Sequence, residues 1–554
     1  MRKLIIIFLC CIIALLAGYA SYRGYKVWKQ NRMLNLARAF AAKGDNRNVL
    51  LCLRQVLSSN PRNLEAARMM AGVLEASHSP AALLYRARVV ELAPKSLEDR
   101  LALAHTAMFF GDYMVATNAL EGVDRAGKKT AAFHNIAGAV AAAANLRADA
   151  EAHFSEASRL DPTNPVPQLN LAVVRLHDTN AAALADARAT LTRISVSSPT
   201  LRCQALRELV LDSLRFRQTN DALTLSKNLV QQTNSTFSDK LLRLDVLRGA
   251  QSAEFKPALA NCQRESGTNE AEIHELTMWQ MARIGPAETL TWLQTLPMSL
   301  QTNQPVALFA AECYATLRNW PGLQNSLNQQ DWAELDFLRH AFLARALRGQ
   351  DMTAAAATEW EQALKIAKGQ KSSLVMLLRL AAQWGWESEG EDILWTIVNQ
   401  FPGEKWAFSA LNQALFLSGR TQSLLMLYSQ EIKRSPTDVG TKNNLAMAAL
   451  LLDAQELKPH ELAREVYNKV PTNAAYVSTY ALSLHLQNKD AEALKVIERL
   501  KPQELQNPAN AGYYGLILKA TGDRAKARIY LDDAAKGHLL PEEKKLFDQA
   551  RAGL

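Results

Sequence analysis

The chain has 554 residues, 48% of them hydrophobic and 21% charged, with 24 Gly and 19 Pro, a balance that excludes extended disorder and favours helices over strands. The net charge is +9, but residues 1–62 hold eleven Lys and Arg against one acidic residue, Asp45, so the remainder is close to neutral. That distribution argues against the basic stripe of a nucleic-acid protein and assigns the excess to anionic lipid headgroups.

In chain order, residues 4–20 (LIIIFLCCIIALLAGYA) come first and carry no charge. As a helix they span about 26 Å, the short end of what crosses a bilayer. Tyr19, Tyr22, Tyr25 and Trp28 follow, with Arg23, Lys26, Lys29 and Arg32 among them; aromatics and cations of this kind flank membrane spans. A cleaved signal ending at Gly18-Tyr19-Ala20 is the rival reading. The long apolar run and the cations behind it favour an uncleaved single-pass anchor in the inner membrane. The excess of cations behind the span favours a cytoplasmic array and leaves a periplasmic one open.

Beyond residue 30 the dominant signal is an internal repeat. In the stretch 130–162, Gly138 is expected in one helix and Asn145 in the turn. Ala150, Phe154 and Ala157 fall on one face of the next helix, which Leu160-Asp161-Pro162 closes. The same frame fits Leu36-Ala37, Gly44-Asp45 and Leu53; Leu103-Ala104 and Gly111-Asp112; Leu343-Ala344, Asp351, Ala356 and Trp360; Leu411, Gly419-Arg420 and Tyr428; and Leu516, Gly522-Asp523 and Ala527. Small residues permit close helix crossings, Gly or Asn tolerates the left-handed turn, and Pro ends the second helix. The pattern resembles the tetratricopeptide repeat, a helix–turn–helix of 34 residues.

The resemblance implies an all-α fold: a right-handed α-solenoid of such repeats, preceded by one transmembrane helix. The expected divisions are 1–30 (anchor and basic flank), 31–200 (repeat array), 201–305 (degenerate helical repeats), 306–540 (second array) and 541–554 (capping helix). Between about 200 and 305 the Gly-Asp turns are missing, yet helices are expected at Gln204–Arg217 and Glu270–Arg283. Pro297, Asn303 and Pro305 suggest a seam, and Asp453–Pro459 lengthens one turn. Pro541 opens the last helix, with Glu542-Glu543 first and Lys544-Lys545 after, an order suited to the helix dipole.

No phosphate-binding glycine loop, zinc-protease motif or nucleophile elbow occurs, and no C-x-x-C pair,. No catalytic residue, metal site or cofactor is expected. Cys52, Cys203, Cys262 and Cys313 read as small buried hydrophobes. His78, His105, His134, His153 and His177 recur at repeat-like intervals with no ligand spacing. Trp384-Gly385-Trp386-Glu387-Ser388-Glu389-Gly390-Glu391 reads as a repeat turn with core tryptophans, or alternatively as an aromatic hot spot. The repeat frame puts Asn135, Asn170, Arg345, Gln413 and Asn443 on the inner face where relatives of this fold bind peptides. The Lys and Arg of a carboxylate clamp do not align there.

The expected function is a membrane-anchored scaffold that binds partner proteins or peptides. The architecture resembles bacterial anchored tetratricopeptide proteins of lipopolysaccharide assembly, polysaccharide export and pilus assembly. Some of those carry a metal-binding cysteine module that is absent here. A non-catalytic regulatory subunit of a membrane enzyme complex is the alternative. An RNA-binding repeat or a repeat-linked enzyme fits less well.

Overall fold

The structure, a computed structural model, describes residues 24–328 and 330–554. The expected span at 4–20 and Arg23 lie outside the described residues. Among the described residues no helix is long and apolar enough to cross a membrane.

Helix follows helix, with no strand among the described residues. The helices pair into hairpins. Many first helices open on a side-chain cap: Asn63, Ser96, Thr130, Asp438 and Asn473 each accept a hydrogen bond from a backbone N–H of the first turn,. Between helices the chain passes at regular intervals through a residue of positive φ, at Gly44, His78, Gly111, Asn145, Arg217, Gln251, Gly285, Arg318, Asp351, Gly385, Gly419, Asp453, Asn488 and Gly522. Successive members of this set are 33 to 35 residues apart, except for an interval of 72 between Asn145 and Arg217. The hairpin between them, Pro165–Arg175 and Ala181–Ser197, turns without a left-handed residue.

The left-handed turn therefore continues where the sequence signature fades. Arg217 and Gln251 hold φ of +56° and +52° where glycine is expected. The helices expected in that stretch are present at Arg202–Arg215 and Glu270–Arg283, and the last helix at Pro541–Ala552. The lengthened turn at 453–459 contains a single 3-10 turn, Gln455–Leu457. Where the pattern is clear, the expected core residues are enclosed: Ala150, Phe154 and Ala157 in one hairpin, and Ala356, Trp360 and Ala363 in another.

The chain forms two compact units, residues up to Arg283 and residues from Ile284 on. In the first, the apolar core comes in several modest clusters, such as Leu34–Met70, Leu101–Val140 and Leu169–Leu209. Buried carboxylates join neighbouring first helices. Asp99 receives Arg68 Nε at 2.9 Å, and Asp239 receives Arg207 Nε at 2.7 Å and Nη2 at 3.0 Å. In the second unit two large clusters extend from Ala307 to Ala550, and they are rich in Trp, Phe and Tyr.

The last helix, at the place of the expected capping helix, also reaches back along the array. Helix Pro541–Ala552 lies across the first helices of the preceding hairpins, far beyond its immediate neighbour. His538 Nε2 donates to the Phe416 carbonyl at 3.0 Å, and Thr421 Oγ1 donates to the Glu542 carboxylate. Leu540 belongs to the same apolar cluster as Leu415 and Leu445.

Candidate partner-binding surface

The five residues expected on the inner face are on first helices, in different surroundings. In the first unit, Asn170 Nδ2 donates to Asn135 Oδ1 at 3.1 Å across two repeats. Each amide thereby meets part of the other's demand, and both remain partly accessible. In the second unit, Arg345, Gln413 and Asn443 stand on helices Asp336–Arg348, Lys405–Leu417 and Val439–Leu451. Gln413 is exposed. Asn443 is buried at 4% exposure, its Oδ1 without a hydrogen-bond partner.

Arg345 has the most specific environment. Gly385, at φ +70°, turns the chain sharply between Trp384 and Trp386, and their rings meet edge-on with centroids 5.0 Å apart. The Arg345 guanidinium sits 5.3 Å from the Trp320 ring and 5.7 Å from each of the Trp384 and Trp386 rings. Among the described residues neither a carboxylate nor a hydrogen-bond acceptor meets it. Its charged neighbours are cations: burial first, then Arg348 and Arg318, hold its pKa below the ordinary arginine value. Arg348 has its own anion, Glu389, and stacks on Trp386 at 3.7 Å.

A half-buried guanidinium with aromatic walls and no counter-ion retains its planar set of donors for an incoming group. Carboxylates match that set with two parallel hydrogen bonds. The tryptophans stiffen the side chain and lower the entropy cost of such a contact.

The acidic run beside these tryptophans is structural. Glu389 pairs with Arg348 and Glu391 with Arg420 at 2.6 Å, so both carboxylates tie adjacent repeats. Trp386 is enclosed and Trp384 half-buried. The aromatic cluster around Trp384 and Trp386 is completed by Arg345 from the preceding hairpin and Trp320 from the one before that. Sequence reading leaves Arg345 isolated because the three rings come from neighbouring hairpins.

One pairing is missed entirely. His134 and His153 face each other across their hairpin, their Nδ1 atoms 3.0 Å apart. The separation of 19 residues, one hairpin's reach across the Asn145 turn, is the signal that pointed to it. Among the described residues no group of three metal-ligating side chains forms. Cys203, Cys262 and Cys313 are buried and Cys52 is half-buried; burial raises the Cys262 thiol to about 11 and the Cys313 thiol to about 12.

No family model matches the sequence, and no curated relative does. Among solved structures the chain is similar to a tetratricopeptide repeat protein from Parabacteroides merdae, at 14% identity over 46% of this chain and 99% of that one, with a TM-score of 0.38. It is also similar to the structure of Naa15/Naa10 bound to HypK-THB, at 12% identity over 94% of this chain and 96% of that one (TM-score 0.29). A third is PilF of Pseudomonas aeruginosa, at 12% identity over 47% and 99% (TM-score 0.27). At these scores the likenesses are loose, and none of them fixes what this chain binds.

Proposed function

We propose that this chain is a non-catalytic interaction scaffold, tethered to a membrane through residues 4–20, with its array on the cytoplasmic side of the inner membrane. It holds a protein partner by a carboxylate seated on Arg345. The observation that carries the reading is the Arg345 guanidinium, half-buried among Trp320, Trp384 and Trp386 with no counter-ion among the described residues. The tether rests on the uncharged run at 4–20 and the cations Arg23, Lys26, Lys29 and Arg32 behind it,. Envelope or polysaccharide assembly is the setting that the resemblance to anchored repeat proteins suggests. Holding a partner at the membrane surface raises its local concentration there, which is what a tether adds to a weak contact.

The test places a photo-crosslinking residue at Leu317, which is 40% exposed and adjoins Arg318. In intact cells a discrete adduct is expected in the membrane fraction, and Arg345→Glu should abolish it without changing the circular dichroism. Removing residues 1–20 should move the protein to the soluble fraction. The same adducts in the Arg345→Glu chain would overturn the site, and membrane retention without residues 1–20 would overturn the tether.

A further inference from the structure

Helix Pro541–Ala552 presents a stripe of Leu540, Glu543, Leu546, Phe547 and Ala550 to the body of the second unit and turns Lys544, Lys545 and Asp548 to solvent. The spacing is that of an amphipathic helix laid in a groove. Its partners are strung along four successive first helices. Its start meets Phe416 at the end of helix Lys405–Leu417, Gly419 in the turn that follows and Thr421 at the start of helix Thr421–Arg434. Its middle lies by Leu450, Leu451, Leu482 and Leu486. Its end lies by Leu516 and Lys519.

Two features of the surface match this helix in particular. Gly512 leaves room for the Phe547 ring: a Cβ at that position would come within 2.3 Å of Phe547 Cε2, and the three atoms nearest to it all belong to that ring. Tyr513, itself 2% exposed, donates its hydroxyl to the Glu543 carboxylate, which also accepts from the Leu540 N–H at 2.8 Å. Phe547 and Ala550 are 4% exposed as a result. The helix is joined to the array only by residues 535–540, so nothing covalent beyond that short link holds it there.

We propose that the face formed by the first helices between Phe416 and Lys519 is a docking site for an amphipathic helix, now filled by the chain's own residues 538–552. The partner it fits is a helix that carries an acidic residue, Leu and Phe three and four positions on, and a small residue at the seventh. The resident helix shows what the face accepts. It also competes at the effective concentration of a short tether, on the order of millimolar, so a partner gains access when the resident helix leaves. This inference rests on the scaffold reading, but its site is separate from Arg345, and the two tests can fail independently.

The probe is a fluorescent peptide of residues 538–554, titrated by anisotropy against the full chain. Phe547→Ala loosens the resident helix and leaves the face intact, and it should bind the peptide at least tenfold more tightly than the natural chain does. Adding Gly512→Leu fills the ring's place and should return binding to the level of the natural chain or below. Equal affinity for the natural and Phe547→Ala chains would overturn the proposal, as would binding that ignores Gly512→Leu. Hydrogen exchange on the unaltered full chain supplies an independent check. Amides of Pro541–Ala552 should exchange at least tenfold faster than those of Pro508–Ala520, through a local opening. Exchange of both helices in one step would show that the helix never leaves its face.

Discussion

The two units use one hairpin plan and different glue. In the first unit, modest apolar clusters alternate with carboxylates sunk between repeats: Asp99 is 3% exposed, Asp212 2% and Asp239 0%, each against an arginine from another helix. In the second unit no carboxylate-bearing residue is buried to that degree among the described residues, and aromatic-rich clusters run continuously through the hairpins. An apolar cluster tolerates the loss of one contact by partial collapse. A buried ion pair does not, because removing one member leaves the other charged in a place that water cannot reach. The first unit should therefore be the more brittle to single polar changes.

Arg207→Met tests this most severely. It leaves the Asp239 carboxylate enclosed with the Thr236 N–H as its donor among the described residues. The expected loss is about 3 kcal/mol, the usual cost of breaking a buried pair from one side. Hydrogen exchange should show it in helices Arg202–Arg215 and Phe237–Gly249, with helices of the second unit unchanged. Asp239→Asn in the same chain removes the stranded charge and keeps an acceptor for the Thr236 N–H, so most of the loss should return. If it does not, packing rather than charge joins these repeats, and the contrast between the units fails.

Acid separates the units more gently, and with opposite signs. Burial lowers the His153 pKa, and the facing His134 lowers it further against an opposing pull from Asp149. A lowered histidine pKa means the fold prefers the neutral ring. The stability it contributes is present above the ordinary value of about 6.5 and is lost as pH falls through it. In the second unit, burial raises the Glu543 pKa, with Glu542 adding to the rise and Tyr513, the Leu540 N–H and His538 opposing it. A raised carboxyl pKa favours the docked helix below the ordinary glutamate value and costs stability as pH rises through the docked value. Between pH 7 and pH 5, after correction for intrinsic exchange, helices Ala131–Ala143 and Arg147–Leu160 should open a few-fold more often. Helix Pro541–Ala552 should open less often over the same interval. Changes of the same sign in both would remove His153 and Glu543 as the cause.

What the sequence makes legible follows the same division. Small residues, Gly-Asp turns and closing prolines announce the hairpins because each is a local requirement, satisfied within one repeat. Helix Glu270–Arg283 is readable to the residue even in the stretch without turn glycines, since its amphipathic pattern is local too. Contacts between repeats are another matter. Arg345 draws its three tryptophans from residues 320, 384 and 386, and Glu542 finds Thr421 more than a hundred residues back. His134 and His153 meet across a turn, and Asn443 faces inward where its register suggests an accessible surface. Periodicity states which face of a helix is covered; it does not state by what.

The turns allow the finest comparison, because in each unit one backbone conformation is filled by glycine at some positions and by other residues at others. Arg217 and Gln251, both exposed, hold φ of +56° and +52°, while Gly419 holds +67°. An L-residue in that region costs roughly 1 kcal/mol, which glycine avoids. Glycine also frees the unfolded chain and returns part of the gain. Arg217→Gly should therefore stabilise its hairpin by about 0.5 kcal/mol, read as slower exchange in helix Thr219–Val230. Arg217→Asn should match it, because asparagine tolerates the conformation with less freedom when unfolded. Gly419→Ala should move the other way and further, since the added Cβ would also stand 3.1 Å from Pro541 Cδ and press on the docked helix. If Arg217→Gly brings no gain, the surrounding hairpin has relaxed around arginine. The missing glycine would then be a change the fold has absorbed, and the faded signature between residues 200 and 305 would carry no cost in stability.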